Sequence, residues 1–275
     1  FLKMMENVLW ISIALMLISC IISEKYKIRK IIGSIGWGIF SIHWAHHTIE
    51  FAAEYDINAI LAATFVIFCL NISYTIMKEY LTNKSYVHKS LEVTKMTTSI
   101  VAVSSLFYFP FEKIDLLYTG LITIVTKHTI DLLELLNTTV TPNIWYLITV
   151  NDLTVRIILG CTGIEGIALF MGLITAVKIP PKRFLIAFLS SIPVIYALNL
   201  VRNVFIILAF EGQWFGYHSF WIAHDFLGKI GSGIALFLIA FIVLNIIPEL
   251  LDLVQGLWNL NINQINNIKL KFKGR

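Results

Sequence analysis

Charge is scarce in this sequence: of 275 residues only 14% are Asp, Glu, Lys or Arg, while 57% are hydrophobic. With a mean hydropathy of +0.79, the chain lies well outside the range of soluble domains. It reads as a polytopic membrane protein, all-α, since lipid admits spanning segments whose backbone groups are satisfied internally. Cysteine is scarce too. Cys20, Cys69 and Cys161 are too few and too scattered for a disulfide framework or a zinc site. A basic nucleic-acid face is also missing: the net charge is +4, but Lys and Arg fall in short clusters between apolar runs, as orientation signals do. No internal repeat, low-complexity stretch or dividing linker is visible, so 1–275 reads as a single transmembrane domain. The first apolar run lacks a small-residue cleavage site and is expected to be retained as a helix.

A span needs about 20 apolar residues. Seven runs qualify, at roughly 8–22, 31–49, 58–77, 94–111, 162–178, 184–205 and 228–248. The stretch 113–136 is apolar but interrupted by Lys127, His128, Asp131 and Glu134, so it is expected to lie on the outer surface as an amphipathic helix, with an eighth span as the alternative. Loop charge gives the topology. SEKYKIRK (23–30), KEYLTNKSYVHKS (78–90), KIPPKR (178–183) and the tail KLKFKGR (269–275) are basic, whereas AAEYDIN (52–58) is acidic. The positive-inside rule then puts the basic loops and the tail in the cytoplasm and the amino terminus outside.

Three polar residues on different spans share the outer depth in this topology. The fifth span starts outside, at Cys161 in GCTGIEG (160–166). The sixth runs outward from Phe184, so Arg202 lies about 27 Å along it at 1.5 Å per residue. The seventh enters just after His224. Cys20 and Cys69 read as small hydrophobes. Cys161 differs, because the dipole and unpaired amides of a helix amino terminus favour a thiolate, and Gly160, Gly163 and Gly166 admit a second backbone closely. Glu165 opposes a thiolate unless a cation such as Arg202 neutralises it. Arg202 stands with Asn199 and Asn203 in an otherwise apolar run, and a buried arginine faces a polar cavity or a partner. His224 precedes Gly228, Gly231 and Ala235, a small-residue stripe for close helix packing. Its imidazole can take a proton from a thiol and return it to a leaving amine. His218 is the reserve candidate.

These elements resemble the exosortase and archaeosortase family: CTGI at 161–164 opening a span, NLVRN at 199–203 late in the next, and HDFLGKIGSG at 224–233 after an outer loop. The likeness covers about 150–250, the catalytic core it implies. It implies a multi-pass cysteine transpeptidase of the cell membrane, its active site extracytoplasmic and its setting archaeal. Its partners would be exported proteins whose carboxy-terminal sorting signal comprises a short motif, Pro-Gly-Phe in the best known archaeal type, then a transmembrane helix and a basic tail. A membrane lipid would accept the new carboxy terminus. Cys161 would then be the nucleophile, Arg202 the oxyanion stabiliser and His224 the acid/base group, with Gly163, Glu165, Asn199 and Asn203 supporting them. Some archaeal members resemble each other in carrying arginine at the third position, so His224 lies nearer the bacterial pattern. No cofactor, metal or nucleic acid is implied.

His43, His46, His47 and Glu50 occupy one helix face at i, i+3, i+4 and i+7. No HExxH arrangement accompanies them, and they read as an interfacial polar face rather than a zinc site. Two other classes compete with the enzyme. A transporter would place polar residues in broken helices near the midplane, whereas this sequence concentrates them at one surface. A noncatalytic scaffold would use the glycine stripe alone and would not need the sulfur of Cys161.

Overall fold

The computed structural model describes residues 2–23, 25–53, 58–82, 88–151 and 153–259. The acidic segment 54–57, the centre of the basic loop at 83–87 and the tail 269–275 lie outside the described residues. The chain is an all-α membrane bundle with one small sheet. Among the described residues five helices are long and apolar enough to cross a membrane. The chain groups into two compact units, one of residues 1–105, 175–177 and 249–275, the other of 106–174 and 178–248.

In the first unit α1 (Leu2–Ile21), α2 (Ile28–Ala53) and α3 (Asn58–Thr82) pack successively, with the start of α4 (His88–Lys113) beside them. Small residues set the distances. A Cβ on Gly36 would lie 3.0 Å from Met16 Cγ and 3.2 Å from the Met16 backbone nitrogen, so α1 crosses α2 as closely as two backbones allow. Across the other face of α2, the Ser34 hydroxyl donates to the Ser73 carbonyl at 2.9 Å and the Ser73 hydroxyl to the Ser34 carbonyl at 2.8 Å. Trp37 is wholly buried, its ring edge-on to Phe40 and Phe68. Its Nε1 donates to Thr98 Oγ1 at 2.9 Å, satisfying the one polar atom of a large apolar side chain.

The second unit holds α5 (Asp115–Leu135), three strands, α6 (Ile164–Thr175), α7 (Pro181–Glu211), the short α8 (Ser219–Trp221) and α9 (Gly228–Ile246). Strands β1 (Val140–Ile144), β2 (Leu147–Val150) and β3 (Leu153–Arg156) form an antiparallel meander in sequence order. Val140 pairs with Val150 and Val150 with Leu153. Two residues separate β2 from β3, and Asn151 takes the left-handed conformation, φ 50°, that such a tight turn requires. Ile148 and Val150 of the sheet join Ile122, Val125 and Leu133 of α5 and Leu200, Val204 and Ile207 of α7 in one core. Asn151 Nδ2 also donates to Glu211 Oε1 at 2.6 Å, fixing the sheet to the end of α7.

One expectation changes here, the run 162–178. The stretch 113–136 forms a helix over Asp115–Leu135 with one buried stripe and one exposed charged face, and its length and composition also meet the alternative of an eighth span. Its buried Ile122, Val125, Thr126, Thr129 and Leu133 follow helical spacing onto α7, while Lys127, His128, Asp131 and Glu134 are exposed. The run 162–178 shortens to the 12 residues of α6, about 18 Å of helix. The helix stops before Pro180 and Pro181, which disfavour continuation in the preceding residues.

Gly36→Leu is expected to overpack the α1–α2 crossing and lower stability by about 1–3 kcal/mol. Gly120→Ala, whose Cβ meets nothing within 4 Å, is expected to leave stability unchanged or slightly raised. Thermal denaturation of the two variants in one detergent checks the contrast.

Candidate active site

The chain enters the site through a 3-10 turn, Leu159–Cys161, stitched by the Cys161 amide donating to the Ile158 carbonyl at 2.8 Å and the Thr162 amide to Leu159 at 3.0 Å. The buried Thr162 hydroxyl donates to the Leu159 carbonyl at 2.7 Å and accepts from the Ile164 amide at 3.3 Å. It serves the entry to α6 as a capping threonine does. Between them Gly163 has φ +75°, a left-handed conformation that glycine adopts without cost. The glycine of CTG is therefore the hinge that turns a 3-10 segment into α6.

From α7, Asn199 and Asn203 both reach the carbonyl of Cys161, their Nδ2 atoms donating at 2.6 and 2.9 Å. Residues four apart share one helix face, so a single face of α7 holds the cysteine residue. Asn203 is buried, and its amide is satisfied by this contact. The half-buried Cys161 side chain packs, together with Tyr196, against the core shared by α5, β2 and α7.

Arg202 projects from the same turn of α7. It lines a cleft of about 390 Å³ with Gly160, Gly163, Glu165, Asn199 and Gly228 at its polar part, and with Ile195, Leu236 and Ile239 at its apolar part. The guanidinium and the Glu165 carboxylate interact electrostatically, with Glu112 also in range of that carboxylate. Arg202 Nε is buried with no hydrogen-bond acceptor, and it would lie 3.1 Å from a Cβ on Gly228. Absence of a side chain at 228 thus lets the guanidinium lie against α9.

His224 sits in a π-helical turn, Ile222–Leu227, just before α9. Its imidazole stacks on Phe220 with 5.3 Å between centroids and 5° between planes. Its Nδ1 is 3.4 Å from Asp225 Oδ1, and Asp225 in turn pairs with Lys229 at 2.9 Å. The widened turn accounts for the next glycine as well: a Cβ at Gly228 would approach the Ala223 carbonyl to 2.8 Å.

Of the residues singled out in the sequence, Gly163, Glu165, Asn199 and Arg202 meet in one cleft, and Asn203 joins them through Cys161. Cys161 and His224 do not line the cleft themselves. Their neighbours do, Gly160 and Gly163 beside the cysteine and Leu227 and Gly228 at the end of the histidine's turn. His218 ends an exposed turn with its ring on Tyr217 and does not join the cleft. Two contributors were missed: Glu112, which was not singled out in the sequence, and Tyr196, whose hydroxyl is 2.7 Å from His128 Nδ1. Tyr196 precedes Asn199 by three residues in α7, a spacing that signals a shared face.

A family profile described as transmembrane exosortase matches residues 13–241. The chain belongs to the transmembrane exosortase family. It is 30% identical to an archaeosortase A of Natronomonas pharaonis over 189 residues, 57% of this chain and 59% of that protein. It is 32% identical to an archaeosortase A of Haloferax volcanii over 119 residues, 38% of this chain and 39% of that protein. The matches therefore span less than two thirds of either relative. No solved structure matches the chain.

The histidine face of this exosortase-family chain lies in its first unit. His46 Nε2 and His47 Nδ1 approach the two oxygens of Glu50 at 3.3 and 2.9 Å, and His43 is buried with its ring 4.7 Å from that of His47. Among the described residues no group of three or more His, Cys, Asp or Glu side chains is arranged to hold a metal ion.

Gly228→Ala is expected to lower thermal stability by about 1–3 kcal/mol, because the added methyl meets a backbone carbonyl that cannot rotate away. Gly231→Ala, with nothing within 4 Å of its Cβ, is expected to be neutral. Denaturation midpoints of both variants against the parent provide the check.

Proposed function

We propose that this chain is an outer-face membrane cysteine transpeptidase. It would cut the carboxy-terminal sorting signal from exported proteins and pass the new carboxy terminus to a membrane lipid. The observation that carries this reading is the meeting of the Cys161 segment with the Arg202 turn of α7 at one cleft. Membership of the exosortase family supports the reaction class, and the clustering of Lys and Arg in segments that the positive-inside rule assigns to the cytoplasm supports the outer location. Residues 150–250 form the catalytic core in this account.

The Cys161 sulfur attacks the scissile carbonyl carbon and forms a C–S bond, while His224 takes the thiol proton. The C–N bond then breaks, and the same proton goes to the leaving amine, which departs with the substrate's helix and basic tail. Arg202 balances the negative charge on the carbonyl oxygen in the tetrahedral intermediate. A nucleophilic group of the acceptor lipid attacks the thioester, gives up its proton to His224 and restores the thiol. The apolar walls of the cleft, Ile195, Leu236 and Ile239, limit water and so favour transfer over hydrolysis. Glu165 offsets the Arg202 charge electrostatically at the cleft.

Intact-mass spectrometry tests this on an exported protein ending in a tripartite signal, coexpressed with parent or variant chains. The parent is expected to remove the tail and add a lipid mass, and Cys161→Ala to do neither. Arg202→Gln is expected to slow processing roughly 10²–10³-fold and His224→Gln roughly 10²–10⁴-fold. Equal processing by the parent and Cys161→Ala would overturn the cysteine mechanism.

A further inference from the structure

The two sequence motifs on either side of the cleft are halves of one contact. In NLVRN, Asn199 and Asn203 place both amides on the Cys161 carbonyl, and a carbonyl oxygen has two lone pairs to offer. The acceptor is thus fully used by α7. In CTG, Gly163 supplies clearance: a Cβ there would lie 3.2 Å from both Cβ and Cγ of Asn199. A side chain at 163 would push Asn199 off the carbonyl, and the positive φ of 163 already disfavours one. Arg202 sits between the two asparagines on the same stretch of α7, and its side chain lines the cleft that Gly160 and Gly163 also line.

We infer that Asn199 and Asn203 are positioning residues that hold the Cys161 turn against α7, with the thiol within electrostatic reach of the Arg202 guanidinium. A clamp of this kind removes the freedom a turn ordinarily has: the cysteine is registered to one rigid helix, the one that bears the cation. The spacing of nucleophile and cation then depends on a single turn of α7, without adjustment in the loops that join the helices. Asn199 and Asn203 touch neither substrate nor reacting atoms in this scheme and act only through the Cys161 backbone. The inference rests on the assignment of Cys161 and Arg202 to one site, and its test is independent of substrate processing.

The probe is a pair of methanethiosulfonate reagents of similar size, one carrying a sulfonate and one a trimethylammonium group. Their rates at Cys161 in the full chain are read by peptide mass spectrometry, which separates Cys161 from Cys20 and Cys69. A thiol held beside a guanidinium reacts faster with the anion, and the anion-to-cation rate ratio reports that proximity. Arg202→Gln is expected to lower the ratio about fivefold, the size of one charge contact near water. Asn199→Leu and Asn203→Leu are each expected to lower it comparably. Gly163→Ala, acting from the other half of the contact, is expected to do the same and covers the case in which a leucine at buried 203 prevents folding. Combining either asparagine change with Arg202→Gln is expected to lower the ratio no further, since both remove the same contact. A merely structural role would lower thermal stability and leave the ratio at the parent value. An unchanged ratio in the folded Asn199→Leu and Gly163→Ala proteins would overturn the inference, and so would losses that multiply in the double variants.

Discussion

Two amide groups from one helix face close on the carbonyl of Cys161, and the second unit is organised around that contact. It requires a turn that presents a carbonyl sideways, which the 3-10 segment and the left-handed Gly163 provide. It requires α7 to run unbroken past the site, and its 31 residues do so. It requires support from behind, which α5 and the sheet give through the core of Ile122, Val125, Ile148, Val150, Leu200 and Val204. Buried carbonyls and amides are costly when unpaired, so an asparagine pair at this depth is stable only while the cysteine turn is in place.

The same logic governs charge. An arginine within a mostly apolar helix is costly to bury unless it has a partner or a wet cavity. Arg202 has both, Glu165 across the cleft and open space of about 390 Å³. The pair is deliberately incomplete as a hydrogen-bonding site, since Nε has no acceptor. A guanidinium that leaves donor capacity unused beside an open cleft is suited to meet a developing oxyanion. Glycine enters the site for clearance at two places, 163 under Asn199 and 228 under Arg202, so each polar side chain rests on a backbone that lacks a Cβ.

Much of the site was legible in the sequence because its residues are anomalies: Arg202 and its asparagines are strongly polar within an apolar run, and Cys161 lies between glycines. Helix membership was legible for the same reason, as composition and run length leave few alternatives in a membrane. Three features were not. The sheet at 140–156 is built from short Thr- and Val-containing segments whose period-2 pattern is too brief to stand out against long apolar runs. Asn151, a turn-favouring residue between two Thr- and Val-containing segments, was the available signal. The π-helical turn at His224 has no composition of its own, and only the backbone reveals why Gly228 follows it. The 113–136 helix, by contrast, has the two faces its interrupted apolar pattern implied: Lys127, Asp131 and Glu134 are exposed while the opposite stripe packs on α7. The partners of the Cys161 carbonyl were beyond the sequence, since a side-chain to backbone contact 38 and 42 residues apart leaves no local pattern.

The central claim is that the sulfur of Cys161 carries the substrate as a thioester on the way to the acceptor. The most direct measurement is peptide mass spectrometry of the parent chain, quenched in acid during processing of an exported substrate, with and without hydroxylamine. The account predicts an adduct on Cys161 equal in mass to the substrate peptide that ends at the cut, less one water, and lost on hydroxylamine treatment. Processing that proceeds at full rate with Cys161 never modified would contradict it.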